Sequence, residues 1–252
     1  MSTKDELIKY RKQRKRRRAK ILLTAFISII LAAGIIGTLF FAPIFGVSEI
    51  YSVGNERISE NYIIARSGIR LGDNIFRSST QRIILNISEI PYVREVSVRR
   101  IFPNRMRILV SENEPRANVA TGELFAIIDE RGNVLEIQQD PYGIPIIRGL
   151  NVDRHTPGER LTAHNSANME IGINLLNEII ANELSESVIN IDVTSLTRIT
   201  MNFENRINIV VGDGNNLAYK IMFMRNILDT IQPHEQGILD MSLAQPYFQR
   251  TN

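Results

Sequence analysis

The chain has 252 residues, enough for one or two domains with packed cores. It holds no cysteine, which excludes disulfide frameworks and thiolate metal sites and leaves its domains to be stabilised by their cores. The net charge of +3 conceals a division: residues 1–20 carry ten Lys or Arg against Asp5 and Glu6, so the remainder is mildly acidic.

The basic stretch leads straight into residues 21–48, none of which is ionisable. As a helix, the run ILLTAFISIILAAGIIGTLFF is about 30 Å long, the thickness of a bilayer's hydrocarbon core. We therefore expect a basic tail at 1–20 and a transmembrane helix at 21–42. A secretory signal would have a shorter apolar region and a small-residue cleavage site, which Phe40-Phe41-Ala42-Pro43 does not resemble. Lys and Arg stay on the cytoplasmic side, so the tail is expected inside and everything after Phe45 outside. Clustered cations also suit nucleic-acid phosphates, but topology and anionic lipid account for them, and no nucleic-acid partner is expected.

Pro43 ends the span, and Ser48 to Val53 reads as a first strand. Gly54-Asn55 signals a turn, Ser59 a helix N-cap with Glu60 at the positive end of the dipole, and Ile58 with Ile63 a hydrophobic staple; Gly68 closes the helix. A second helix fits Ser78 to Ser88, with Ile83, Ile84 and Ile87 on one face and Pro91 after it. A hairpin follows, hinged on Phe102-Pro103-Asn104. Val96, Val98, Met106, Ile108 and Val110 share its apolar face, and Ser97, Arg99, Arg105 and Arg107 the wet one. Strand, helix, helix, strand, strand is an α+β layer arrangement that closes near Glu112.

A second region begins at Pro115. Ala126-Ile127-Ile128, the turn Asp129-Glu130-Arg131-Gly132 and Asn133-Val134-Leu135 predict strand, turn, strand, followed by Pro145-Ile146-Ile147-Arg148-Gly149. Ala167, Ile171, Leu175 and Ile179 place a helix over 165–181. Strands are expected at 188–193 and on both sides of Glu204-Asn205. A helix is expected along Leu217, Ile221, Met224, Leu228 and Ile231, and a last strand at 238–243, with Tyr247 and Phe248 beyond it.

Catalytic vocabulary is sparse. His155, His164 and His234 are scattered without metal-ligand spacing, so no metal or cofactor site is expected. Asp129 with Glu130 could suggest a glycan-cutting acid pair, but adjacent residues face opposite ways, whereas glycosidase carboxylates must face each other. Gly212-Asp213-Gly214 before a helix lacks the Gly-Lys-Ser/Thr ending of a phosphate loop and reads as a strand-to-helix turn. The arginines at 94, 99, 100, 105 and 107 read as a solvated strand face, or else a docking surface for an acidic partner. No catalytic residue is assigned.

These residues fall in an order that resembles a known family. Ile50-x-x-Val53-Gly54-Asn55-x-x-Ile58-Ser59, Gly72-x-Asn74-Ile75-Phe76 and Pro91-x-Val93 come first. Val96-x-Val98-Arg99-Arg100-x-x-Pro103-Asn104 and Ile108-x-Val110-x-Glu112-x-x-Pro115-x-Ala117 follow. Asp129-Glu130-x-Gly132-x-Val134, Pro145-x-Ile147-x-Gly149, and Gly212 followed by Lys220 continue the pattern. Together behind a basic tail and one span, they resemble the bacterial cell-division family FtsQ, called DivIB in Gram-positive bacteria.

The resemblance implies a POTRA domain at 48–114 and a β domain at 115–248, with residues 249–252 a short tail. The fold class is then α+β: an N-terminal transmembrane helix, a β-α-α-β-β POTRA domain and a second mixed domain whose sheet is largely antiparallel. It implies a non-enzymatic divisome protein of the cytoplasmic (inner) membrane at the septum. Such a protein binds FtsB (DivIC) and FtsL, recruits other division components through its POTRA domain, and links early ring proteins to septal peptidoglycan synthesis. The chain stops soon after Phe248, which leans toward a Gram-negative envelope. In such proteins the last strand offers its open edge to a strand of FtsB by β-augmentation. Carried over, the partner-binding residues are Leu239, Asp240, Met241, Ser242 and Leu243, with Tyr247 and Phe248 supplying aromatic contacts. Met241-Ser242-Leu243 stands where the family tends to have Leu-Arg-Tyr. The alternatives are a membrane-anchored extracytoplasmic cell-wall hydrolase and a POTRA-bearing transport component, though the second region lacks the many amphipathic strands of a barrel.

Overall fold

A computed structural model of the chain describes residues 3–243 and 245–251, with the side chains of 3–14, 16, 19 and 39–41 left aside. Met1, Ser2 and Asn252 of the expected tails lie outside the described residues. The fold is α+β, with two compact units. One comprises the chain up to Ile87 together with Val96–Val110, and the other Ser88–Glu95 together with the chain from Ser111 onward.

Helix α1 (Thr3–Phe41) contains Lys20–Thr38, a stretch long and apolar enough to cross a membrane and not buried within the protein. That exposure separates it from the core helix of a soluble domain and fits a single-pass membrane protein. A single 3-10 turn, Pro43–Phe45, follows.

In the first unit a three-stranded sheet runs in the order β1-β3-β2, from β1 (Glu49–Val53), β2 (Val93–Ile101) and β3 (Arg105–Glu112). Strand β3 lies at the centre, parallel to β1, with Met106, Ile108 and Val110 buried. Val96 and Val98 are only half-buried, because β2 is an edge strand. Helices α2 (Glu60–Ser67) and α3 (Thr80–Ser88) supply Ile63, Ile83 and Ile87 to the core. Ile84 stays half-buried. Each such fully buried side chain contributes about 1.5–3 kcal/mol. The ends of α2 follow their residues: Ser59 Oγ accepts from the Tyr62 amide, and Gly68 takes φ 72°, a left-handed cap that suits glycine. Glu60 is used beyond the dipole, its carboxylate accepting from the Ser52 amide at 2.9 Å.

The second unit is built on a nine-stranded sheet, order β14-β13-β12-β11-β10-β7-β4-β5-β6. Its strands are β4 (Ala117–Thr121), β5 (Leu124–Ile128), β6 (Val134–Gln138), β7 (Ile146–Arg148), β10 (Val188–Asp192), β11 (Ile199–Phe203), β12 (Ile207–Gly212), β13 (Gly237–Asp240) and β14 (Tyr247–Arg250). Strands β8 (Val152–Arg154) and β9 (Thr162–Ala163) form a separate pair. Most neighbours in the large sheet are antiparallel; β4 with β7, β7 with β10 and β12 with β13 are parallel. Helices α4 (Ser166–Ala181) and α5 (Leu217–Leu228) bury Leu175, Leu176, Ile179, Ile221 and Met224 in the same core as Val119, Ile191, Met201 and Ile209.

Asp129 is the buried pin of the β5–β6 turn. Its carboxylate accepts from the amides of Arg131 and Asn133 and from Asn133 Nδ2, all at 2.8–2.9 Å. Its role is thereby structural: these hydrogen bonds satisfy a buried acid and hold the turn. Beside the same hairpin, Tyr142 donates its hydroxyl to Glu136 Oε1, and Tyr92 joins both through side-chain hydrogen bonds.

Candidate partner-binding edge

The end of the large sheet differs from the sequence expectation. The expected last strand, 238–243, is the shorter β13, and its outer side is already paired with β14, which joins Tyr247 and Phe248 to Gln249 and Arg250 of the expected short tail. Leu239–Leu243 is therefore not the open edge. Leu239 is fully buried and Met241 nearly so, with the Met241 amide donating to Val210 O at 2.8 Å. Asp240 Oδ1 accepts from the Ser242 amide and hydroxyl, closing the turn that carries the chain toward β14. Of the seven residues expected to meet a partner, Ser242, Leu243 and Tyr247 are exposed, the last two at 53% and 48%, and Phe248 is half-buried.

Strand β14 is anchored by close fit. Its register pairs Asp240 with Tyr247, Leu239 with Phe248, Ile238 with Gln249 and Gly237 with Arg250. A Cβ built on Gly237 would lie 2.2 Å from Gln249 O and 2.7 Å from the Phe248 ring, so only glycine admits this approach. Arg250 pairs with Glu235 at 2.6 Å, and the Thr251 amide donates to Gln236 O at 2.9 Å.

That last bond sets which main-chain groups face outward. In an antiparallel ladder alternate residues bond inward. Since Thr251 bonds to Gln236, Gln249 and Tyr247 turn their backbone groups toward β13. Phe248 and Arg250 turn theirs to the free side, where no described strand pairs with β14.

Next to this edge lies a groove of about 470 Å³ between the start of α5 and the β13–β14 turn. Tyr219 and Phe223 stack there with ring centroids 6.0 Å apart. Lys220 Nζ crosses the groove to Asp213 Oδ1 at 2.8 Å and Asp213 O at 2.9 Å. The ammonium of Lys220, then the Asn215 side chain and amide, hold the Asp213 carboxyl below the usual carboxylate range. The Gly212-Asp213-Gly214 turn is thus closed by its own lysine. Tyr219 and Met222 are 62% and 51% exposed. Tyr219 and Phe223 are not among the residues expected from sequence; the available signal was an aromatic pair at i, i+4 lying off the buried stripe of α5. Among the described residues no group of three or more His, Asp or Glu could hold a metal ion.

The apolar helix, the three-stranded α+β unit and the β-rich unit whose terminal strand β14 has one open edge describe a POTRA-bearing protein with a candidate membrane anchor. Residues 45–113 match the family model of the POTRA domain, FtsQ-type. The chain is 28% identical over 246 residues to the cell division protein DivIB of Clostridium botulinum (strain Loch Maree / Type A3), covering 94% of this chain and 93% of that one. It is 24% identical over 220 residues to DivIB of Clostridium tetani, covering 85% and 83%. Over 97 residues it is 32% identical to the cell division protein FtsQ of Geobacter sp. (strain M21), covering 38% and 35%. The chain is thus similar to DivIB cell-division proteins over most of its length and to FtsQ over a shorter part of it, with the FtsQ-type POTRA domain at residues 45–113.

Proposed function

We propose that this chain is a non-enzymatic divisome scaffold, held at the septum by α1 with its tail in the cytoplasm and both folded units outside. In this reading residues 1–20 are the tail, 21–42 the span, 48–114 the POTRA domain and 115–248 the β domain, whose last strand β14 runs on to Arg250. The POTRA domain serves recruitment, and the β domain binds FtsB (DivIC) and FtsL, coupling early division proteins to septal peptidoglycan synthesis.

One observation carries the partner reading: β14 ends its sheet with the main-chain groups of Phe248 and Arg250 facing outward. An unpaired edge is a template for a further strand, and main-chain pairing along it is the way an extended partner segment adds to a sheet. The docking edge therefore moves from Leu239–Leu243 to Tyr247–Arg250. Tyr247 remains in the contact, and Leu243 lies beside it.

A proline at 250 tests this selectively. It removes an outward amide while sparing the β13 ladder, as edge positions allow. Arg250→Ala keeps the amide and loses only the ion pair with Glu235. The full chain should retain the FtsB or DivIC ectodomain in co-purification as Arg250→Ala and lose about tenfold in affinity as Arg250→Pro, the order expected when a strand pairing is broken. Equal binding by both variants would refute the assignment.

A further inference from the structure

The point where the chain leaves α1 sits against the first unit in a way that specifies a second contact. Twenty residues from Ile21 rise about 30 Å and end at Phe40, so Ile44 and Phe45 follow within the layer of lipid headgroups. The main chain then clamps this exit to the loop before α3. Val47 N donates to Asp73 O at 2.8 Å, Gly72 N to Val47 O at 2.7 Å and Ile75 N to Phe45 O at 2.9 Å. Gly46 and Asn74 form a bridge within the same clamp. The loop cannot move away from the exit without breaking these bonds.

The side chains carried there are unusual for a solvated surface. Phe45, Phe76 and Phe102 form a chain of rings, with centroids 5.1 Å apart at 69° and 5.4 Å apart at 28°. Phe102 at its end is 59% exposed, Ile44 61% and Leu71 68%. A concavity of about 940 Å³ opens alongside, lined by Ala42 and Pro43 at the exit and by Arg77, Arg82 and Asp73. Asp73 Oδ2 is already engaged by the Arg70 amide at 2.8 Å, and both arginines are exposed. Exposed apolar groups that cluster call for a partner. Phenylalanine and leucine beside arginine, at the mouth of a span, are the residue types that seat peripheral segments at the boundary between headgroups and acyl chains.

We infer that this face of the first unit rests on the leaflet from which α1 emerges, with Ile44, Leu71 and Phe102 at the headgroup boundary and Arg77 and Arg82 on lipid phosphates. The inference rests on the reading that α1 spans the membrane. It adds a second, peripheral attachment that orients the unit.

The chain contains no tryptophan, so Phe102→Trp introduces a single fluorescent reporter. Leu71→Trp provides a second reporter in case the ring stack is disturbed. The full chain is reconstituted into phosphatidylethanolamine vesicles containing a minority of phosphatidylglycerol. Carbonate extraction reports separately on α1: release would overturn the spanning reading, and this inference with it. For protein that resists extraction, both reporters should emit to the blue of a solvated indole. They should also lose about half their intensity to lipids brominated near the acyl carbonyls, as interfacial rings do. Solvent-like, unquenched emission from both would overturn the contact. Arg77→Glu with Arg82→Glu should lower the quenching about twofold on the anionic vesicles. Unchanged quenching would overturn the assignment of the two arginines.

Discussion

Leu239 of β13 stands opposite Phe248 of β14 in an antiparallel ladder, and that pairing decides which backbone the chain leaves open. Leu239 is buried and Phe248 packs against the core, so one side of the pair anchors the strand. The other side is the unoccupied edge of a nine-stranded sheet.

The anchor is sensitive at Gly237. A methyl group there meets the Gln249 carbonyl and the Phe248 ring well inside contact distance. Gly237→Ala should destabilise the second unit by about 1–3 kcal/mol, the usual cost of overpacking, and release β14 first. Urea unfolding gives the first quantity. Faster tryptic cleavage after Arg250 under native conditions gives the second.

The groove beside the edge should show its charge pairing in a titration. Lys220 is the main cause of the lowered Asp213 pKa. Lys220→Met should therefore move the Asp213 carboxyl up toward the ordinary range, as read by carbon NMR of labelled aspartate. A carboxylate with a depressed folded pKa stabilises the fold above its unfolded pKa and loses that contribution as pH falls through the folded value. The variant should therefore differ from the parent least in acid. Asp213 is exposed, so the difference at neutral pH should be small.

A second titration concerns Tyr92. Burial first, then the hydrogen bonds its hydroxyl donates to Tyr142 and Glu136 and the charge of Glu136, push its pKa well above the ordinary tyrosine range. A raised folded pKa gives stability that is fully present below the unfolded pKa, about 10, and is lost as pH rises through the folded value. Absorbance at alkaline pH should show a tyrosine component that ionises only as the protein unfolds. In Tyr92→Phe that lagging component should be absent.

How much of this was legible depends on how strongly each residue constrains its neighbours. Ser59 and Gly68 bracket α2 because a cap and a left-handed residue act within one turn of chain. The stripe of α5 and the alternation of β11 and β12 were equally readable, since their periods record a single buried face. Strand β14 was not. Its residues, Tyr-Phe-Gln-Arg, show no apolar alternation, because three of the four face solvent at the sheet's end and the strand is specified by the space over Gly237. The short pair β8 and β9 escaped for a similar reason, being three and two residues long. At the site, Tyr247 and Phe248 were legible as aromatics beyond a strand. That they form the edge themselves required the turn made by Asp240 and Ser242.

A partner strand added to β14 would cover the outward amides of Phe248 and Arg250. Hydrogen exchange of the full chain, followed at single amides with and without saturating FtsB or DivIC ectodomain, tests it most directly. The account predicts that the Phe248 and Arg250 amides, which face the free edge, become protected, while the Gln249 amide, already bonded to β13, changes little. Unchanged exchange at Phe248 and Arg250 in a demonstrably formed complex would contradict it.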